Sequence, residues 1–184
     1  SHDLYFRCDD GLRPEAGGAQ WNAELTPSVY YAIDVHIEAD WRLDLAKRGN
    51  FDAIAVCHSV GLDLPWPKEA HWMPVGADQD IHIAPTPKPE KKYDLCFIGN
   101  IHNGLGGPRV ECLDVAFKAA PNFFYGSRTF REMAEKYAES KIVFNRSING
   151  DCNMRVFEAM ASGSCLVTDR VEDLDKLGFI DKGH

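Results

Sequence analysis

Short runs of apolar residues alternate along the chain with longer stretches in which apolar residues recur every three or four positions. Apolar runs bounded by polar residues or glycine predict strands, and the longer periodic stretches predict helices. The first half of the chain predicts one helix, over Asp40–Arg48, and four strands. The strands are Leu4–Cys8, Val29–Val35, Ala53–Cys57 and Trp72–Val75. The two central runs are apolar almost throughout, which is typical of strands covered on both faces, as in a parallel sheet.

The alternation restarts at Asp94 and continues as a regular βαβαβαβα series. The predicted strands are Asp94–Ile98, Phe123–Tyr125, Lys141–Asn145 and Cys165–Thr168. The predicted helices are Val110–Ala119, Thr129–Ser140, Asn153–Ser162 and Val171–Leu177. Such a series is typical of an open parallel sheet with helices on its faces. We therefore predict an α/β fold made of two Rossmann-like parallel-sheet domains.

Residues 79–92 interrupt the pattern with three prolines and a cluster of charges. This composition is typical of a linker or an extended connection. We expect a partial first domain over residues 1–78 and a second domain over residues 93–184. The second domain stops after its fourth βα unit, whereas doubly wound sheets have about five or six strands. The first domain begins directly in a strand-like run, so we expect a fragment of a longer protein, truncated at both ends.

Composition narrows the class of protein. The chain has 184 residues, of which 45% are hydrophobic, and a formal net charge of -8. The hydrophobic fraction is sufficient for a hydrophobic core. The negative charge argues against nucleic acid as the main partner, because phosphate backbones require a basic surface. The six cysteines form no CxxC pair, which favours reduced thiols in a cytoplasmic protein. No apolar stretch has the length of a membrane span, and no signal peptide is recognisable.

The stretch Asn145–Asp169 carries most of the chemical information. A predicted strand ends there in a polar loop, and the following helix has Asp151 or Asn153 as its N-cap. The free backbone amides at such a helix start favour an anion, for example a diphosphate. One turn into the helix, Arg155 and Glu158 lie three positions apart and share a face.

Spacing alone leaves two interpretations of Arg155 and Glu158. In one, Arg155 pairs with a phosphate through two parallel hydrogen bonds, and Glu158 accepts hydrogen bonds from two ribose hydroxyls. In the other, the two form a surface ion pair worth roughly a few tenths of a kcal/mol. Met154, Phe157 and Ala161 share another face of the same helix, and we expect that face to pack on the sheet.

The string NMRVFEAMASGSCLVTD resembles the donor-site segment of retaining GT-B glycosyltransferases, in particular the branch related to the spore-maturation CgeB proteins. The residues that carry this resemblance are Asn153, Arg155, Phe157, Glu158, Gly163 and the pair Thr168 and Asp169. The strings YDLCFIGN and YAESKIVFNRS resemble the start and the middle of the same domain. YYAIDVH, FDAIAVCHS and MPVGAD resemble the first domain of these enzymes.

The resemblance implies a GT-B-like arrangement and transfer of a sugar from a nucleotide-diphosphate donor to an acceptor. Glu158 would bind the ribose. Arg155, with the backbone amides near Asp151 and Asn153, would meet the diphosphate or the sugar. The glycine-rich loop that follows Asn100 would approach the phosphates.

Further residues follow from the same resemblance. Gly99 and Arg109 would join Asn100 in binding the donor. Asp34 and His36, at a strand end of the first domain, would face the acceptor, and with Arg155 they are the candidate catalytic residues. His36 is either a general base or a structural histidine at a strand end.

Two DxD patterns, beginning at Asp78 and Asp173, match the metal-binding pattern of metal-dependent glycosyltransferases. We interpret both as solvated turn carboxylates. His58 is expected to be structural. We therefore expect no essential metal and no cofactor, and the partners are a nucleotide sugar and an acceptor.

Position 150 departs from the pattern of many such enzymes, which carry a second glutamate eight residues before the ribose-binding one. Here that position is Gly150, and Asp151 lies beside it. This departure keeps open a non-catalytic module of the same fold that binds a nucleotide or a sugar. A second alternative is another enzyme of the same fold, a nucleotide-sugar epimerase, which would use the same donor without an acceptor.

Overall fold

The computed structural model describes residues 3–9, 25–101 and 107–179. The chain divides into two compact units, Ser1–Pro74 and Val75–His184. Each unit has a four-stranded sheet in which every described strand pair is parallel. The prediction of an α/β fold with two Rossmann-like parallel sheets is thereby confirmed.

The first unit contains the strands β1 (Tyr5–Cys8), β2 (Ser28–Ala32), β3 (Ala53–Val56) and β4 (Ala70–Trp72), the helix α1 (Ala39–Gly49) and a 3₁₀ helix (Ser59–Asp63). Strand order in the sheet follows the chain, β1-β2-β3-β4. Its core joins alternate residues of β2 and β3, such as Tyr30 and Ile54, to Leu45 of α1. Alternate residues of each strand share this core because successive strand side chains point to opposite faces of the sheet.

The second unit contains four strands and five helices among its described residues. In chain order they are α2 (Gln79–His82), β5 (Tyr93–Ile98), α3 (Gly107–Ala119), β6 (Phe123–Gly126), α4 (Phe130–Ala138), β7 (Ser140–Phe144), α5 (Met154–Ala161), β8 (Cys165–Val167) and α6 (Glu172–Lys176). Strand order is β6-β5-β7-β8. The chain therefore adds β6 on one side of β5 and then crosses to the other side for β7 and β8. Open α/β sheets bind ligands at such a reversal, beyond the carboxyl ends of the strands.

The two faces of the second sheet have separate cores. Phe97 of β5 packs with Leu113 of α3, whereas Ile98 packs with Tyr137 of α4 and Ala159 of α5. Consequently α3 covers one face, and α4 and α5 cover the other. The connections from β5 to α3 and from β7 to α5 thus leave the strand ends toward opposite faces.

Residues 79–92 are not an extended connection throughout. They include α2, whose first turn is capped by Asp78, because its carboxylate accepts a hydrogen bond of 2.8 Å from the amide of Asp80. Just after α2, the amide of Ala84 donates to the carbonyl of Ala161 at the end of α5 (2.9 Å). The proline content of the segment hid a helical turn that packs on α5, and Asp78 is a helix cap. The domain boundary at residues 79–92 stays a prediction.

The face of α5 that packs on the sheet also differs from the prediction. Met154 is 46% exposed, whereas Val156 and Ala159 are buried. Phe157 instead lies beside Phe179, with ring centroids 6.4 Å apart. The helix buries apolar residues against both the sheet and the segment around α6, so its apolar positions do not mark a single face.

Candidate functional site

The carboxyl ends of β5 and β7 meet at the strand reversal of the second unit. Beyond β5 the chain continues through Gly99 and Asn100, and beyond β7 it continues through Asn145 and Arg146. Gly104 and Gly106, in the glycine-rich loop predicted to approach the phosphates, lie outside the described residues. The described side chains at this edge form one hydrogen-bonded group around two arginines.

Arg155 lies in the first turn of α5 and reaches across to the end of β5. Its Nε donates a 2.9 Å hydrogen bond to the carbonyl of Ile98, and its Nη1 donates a 2.7 Å hydrogen bond to Oδ1 of Asn145. The guanidinium lies over the ring of Phe97, 4.9 Å from its centroid. A Cβ at Gly99 would lie 2.5 Å from Nη2 of Arg155. Glycine at position 99 therefore lets the arginine approach the backbone.

Arg109, on α3, makes the reciprocal connection. Its Nε donates to the carbonyl of Arg146 beyond β7 (2.7 Å), and its Nη1 donates to the carbonyl of Asn100 (3.1 Å). The side chain is buried, and burial followed by the nearby charge of Arg155 lowers the pKa of Arg109. Each arginine thus comes from the helix after one strand and fixes backbone at the end of the other.

Asn145 joins these groups to β8. It is 1% exposed, and its Nδ2 donates to Oγ1 of Thr168 (2.9 Å), while its Oδ1 also accepts from Nδ2 of Asn153 (3.3 Å). Asp169 accepts from the amide of Ser147 (2.8 Å). No role for Asn145 follows from the motif, but its position shows the signal that was missed. It follows β7 directly, as Thr168 directly follows the parallel neighbour β8.

The start of α5 leaves backbone amides without a side-chain cap. Asn153 is the N-cap residue and makes no side-chain capping hydrogen bond. Asp151, the other predicted cap, lies before it and contributes negative charge. Burial, then the charges of Asp173, Asp151 and Asp169, raises the pKa of the Cys152 thiol to about 12. This thiol is therefore neutral at physiological pH.

Gly150 occupies a backbone conformation that disfavours other residues. Its φ is +73°, in the left-handed region, and nothing lies within 4 Å of an added Cβ. Space is therefore available, but the backbone strains an L-residue. A glutamate at position 150 would therefore be strained in this backbone conformation, although Glu38 adopts a left-handed φ of 51° elsewhere in the chain.

Glu158 is almost fully buried, and its neighbour is a histidine of α2. It is 6% exposed, and its Oε1 lies 3.6 Å from Nε2 of His82, a residue of α2 that is itself 1% exposed. The other ring nitrogen of His82 lies 3.2 Å from the carbonyl of Asp78. Burial raises the pKa of Glu158, while His82 and Arg155 oppose this shift. Because Glu158 is buried beneath α2, the alternative of an exposed ion pair with Arg155 is wrong.

In the first unit, Asp34 and His36 follow β2 and lie together with His58, which follows β3. One ligand atom from each of these side chains lies within 4.8 Å of the other two. The two imidazole rings are 4.9 Å apart, edge to face. His58 was expected to be a separate structural residue. Its location after the strand next to β2 is the sequence signal that links it to Asp34 and His36.

A family model described as "Glycosyl transferase-like" matches residues 100–181. A search of curated proteins found no match. The matched segment begins beyond β5 and contains Arg109, Asn145, Arg155, Glu158 and Asp169. The second unit thus carries a glycosyltransferase-like domain, which supports glycosyl transfer between a sugar donor and an acceptor as its general function. Within residues 3–9, 25–101 and 107–179, none of the helices is both long and apolar enough to cross a membrane.

Proposed function

We propose that the chain is a retaining GT-B-type glycosyltransferase of the CgeB-like branch, which uses a nucleotide-diphosphate sugar without a metal at the diphosphate. The observation that supports this most directly is the reciprocal pair of arginines, Arg109 and Arg155, at the strand reversal. Both lie in the segment that matches the glycosyltransferase-like family model. Since this edge of an open α/β sheet is where ligands bind, we assign the donor to it.

The diphosphate would bind at the start of α5. Backbone amides at a helix start can bind an anion, and Asn153 leaves those of α5 without a side-chain cap. Arg155 adds positive charge beside them, although its Nε and Nη1 already donate to protein oxygens. Fixed positive charge and amide dipoles stabilise the charge that develops on a departing diphosphate. This role does not require a metal ion.

Glu158 and the first-unit residues have proposed roles that follow from the resemblance. Glu158 would accept hydrogen bonds from the ribose, which requires His82 and α2 to give access to its carboxylate. Asp34 and His36 are assigned to the acceptor side. None of the six cysteines, all of which lie in the described residues, forms a disulfide, and a reducing compartment such as the cytoplasm fits this protein.

The first experiment is a thermal-shift panel of UDP, GDP, ADP, CDP and dTDP, each measured with Mg²⁺ and with EDTA. A nucleotide at about 100 times its Kd adds roughly 2.7 kcal/mol of stability. We expect one nucleotide to give a shift that EDTA does not reduce. Because charged hydrogen bonds are worth about 1.5–3 kcal/mol, Glu158→Gln should lower the affinity for that nucleotide at least tenfold. The exposed Glu135→Gln on α4 is the matched control.

The outcomes distinguish this proposal from its alternatives. Equal affinity of the wild-type chain and Glu158→Gln would show that the ribose assignment is wrong. A shift that appears only with Mg²⁺ would contradict metal independence. Incubation with the matching nucleotide sugar then separates three cases by product analysis: transfer to an acceptor, an epimerised donor sugar, or an unchanged donor. The third case would favour a binding module. This alternative stays open because Gly150, with a φ of 73°, occupies the position where many such enzymes carry a glutamate.

A further inference from the structure

Three potential metal ligands lie at one edge of the first sheet. β2 and β3 are parallel neighbours whose last paired residues are Ala32 and Val56. Asp34 and His58 each follow two positions after these residues, so the register places them side by side beyond the sheet. His36 comes two residues after Asp34 and completes the group. One nitrogen or oxygen of each side chain lies within 4.8 Å of the other two.

Hydrogen bonds fix the backbone that carries these side chains. The carbonyl of Asp34 accepts from the amide of Ile37 (2.8 Å), and the carbonyl of Ile37 accepts from Nη1 of Arg42 on α1 (2.6 Å). The carbonyl of His58 accepts from the amide of Gly61 (2.9 Å). The three positions are therefore held before any ligand arrives.

The two turns also pack directly on each other. A Cβ added at Gly61 would lie 2.7 Å from Cγ2 of Val35, the residue between Asp34 and His36. Asp34 itself has a φ of 50°, in the left-handed region that aspartate and asparagine tolerate better than most residues. The close contact and this conformation keep the carboxylate on the same side as the two imidazoles.

We propose that Asp34, His36 and His58 bind a divalent transition-metal ion of the Zn²⁺ class. Two imidazoles and one carboxylate suit Zn²⁺ and its neighbours, whereas Mg²⁺ and Ca²⁺ prefer oxygen ligands alone. At Zn²⁺ bond lengths of about 2.0–2.2 Å, ligand atoms in a tetrahedral site are about 3.3 Å apart. The ligand atoms now lie within 4.8 Å of one another, so binding would require the side chains to rotate until these separations shorten to that value.

The site has one open side. His58 is buried, His36 is partly buried and Asp34 is exposed. Three protein ligands leave a further position on the ion, and solvent reaches it from the side of Asp34. A ligated His36 donates its lone pair to the ion, so metal binding would replace the general-base role that is one of the two interpretations of this histidine. The site is built from first-unit residues and does not depend on the proposed diphosphate site.

The test measures metal binding directly, without nucleotide. The chelator-treated, tag-free chain is titrated with Zn²⁺ by calorimetry in the presence of a phosphine reductant, and a parallel titration uses Mg²⁺. Co²⁺ is added as a spectroscopic probe, because a four-coordinate site with nitrogen and oxygen ligands absorbs visible light without a thiolate charge-transfer band. We expect one Zn²⁺ per chain, no Mg²⁺ binding, and a Co²⁺ spectrum free of thiolate character.

Variants decide whether these three residues are the ligands. Asp34→Asn tolerates the left-handed backbone and removes the charge, and His36→Ala removes a partly exposed ligand, so both should fold. Each variant is expected to lower the affinity for Zn²⁺ at least tenfold. The control variant His71→Ala, at an exposed position on β4, should bind Zn²⁺ as tightly as the wild type does. Absence of Zn²⁺ binding, a thiolate band with Co²⁺, or unchanged affinity in both variants would overturn the proposal. None of these results would bear on nucleotide binding, which the thermal-shift panel tests separately.

Discussion

At the scale of single residues, Gly99 shows how a small side chain makes room for a large one. A Cβ there would meet Nη2 of Arg155 at 2.5 Å and Cζ of Phe97 at 3.1 Å. The second contact is tight, and the first requires the guanidinium to move. That guanidinium donates hydrogen bonds to Ile98 and Asn145. A methyl group at position 99 would therefore displace a group that joins the ends of β5 and β7.

We therefore predict that Gly99→Ala lowers both stability and nucleotide affinity. Overpacking of this kind costs about 1–3 kcal/mol, which urea unfolding measures. The matched control is Gly76→Ala, where nothing lies within 4 Å of an added Cβ. If Gly99→Ala unfolds like the control and binds the nucleotide equally well, Arg155 does not depend on this close approach.

The residues of the proposed donor site were partly predictable from sequence. The motif singles out Arg155, Glu158 and Arg109 by resemblance, and the structure places both arginines at one edge of the sheet. Asn145 lies 10 residues before Arg155, and its position directly after a strand was a usable signal. Ile98 was not predictable as a partner, because it lies 57 residues before Arg155 and offers a backbone carbonyl. The burial of Glu158 was missed for the same reason. It depends on His82, which belongs to a segment that its prolines marked as a linker.

At the scale of elements, the pattern of apolar runs predicted seven of the eight described strands with shifts at their ends, whereas the predicted strand Trp72–Val75 shares only Trp72 with β4 (Ala70–Trp72). It succeeded because buried parallel strands are short apolar runs between polar turns. It failed for α2, since four residues are too few to show helical periodicity. It also assigned the wrong packing face to α5, where Val156 and Ala159 are buried and Met154 is exposed. Periodicity identifies apolar positions but not the partner of each one.

The packing of α2 on α5 makes stability depend on the charge of Glu158. Burial raises the pKa of this carboxyl group in the folded state above its unfolded value. The folded state therefore binds the proton more tightly, and the contribution of Glu158 to stability falls as pH rises from the unfolded to the folded pKa. Above the folded pKa this contribution stays constant.

We predict that Glu158→Gln changes this pH dependence in a defined direction. The neutral amide avoids the cost of burying a carboxylate, so the free energy of unfolding of the variant relative to wild type should increase as pH rises from about 4.3, the reference value for glutamate. Urea unfolding at a series of pH values measures it, with the exposed Glu135→Gln as control. A difference that is the same at every pH would contradict a buried, proton-linked Glu158.

At the scale of the whole molecule, the chain is two parallel α/β units with different strand orders. The first sheet follows the chain, whereas the second reverses between β5 and β7. The sequence predicts the strands and the class of fold, but strand order depends on how each helix crosses the sheet. The proposed donor site in the second unit rests on this reversal, and the proposed metal site in the first unit rests on the strand-end register of β2 and β3.

Because each proposed site is built from residues of one unit, each ligand should protect a separate part of the chain from hydrogen exchange. The nucleotide selected in the panel should slow exchange beyond β5 and β7 and at the start of α5, where its phosphates would occupy backbone amides. Zn²⁺ should slow exchange at residues 33–37 and 57–61. Exchange measured by mass spectrometry with each ligand, and with both, resolves these segments.

Two variants make the comparison decisive. Glu158→Gln should weaken the nucleotide pattern and leave the Zn²⁺ pattern intact, and Asp34→Asn should do the reverse. Protection by the nucleotide confined to residues 33–37 and 57–61 would contradict the donor site at the strand reversal. Protection by Zn²⁺ in the second unit, where Cys112 and Cys165 are exposed, would instead indicate thiol binding and remove the case for a metal site at Asp34, His36 and His58.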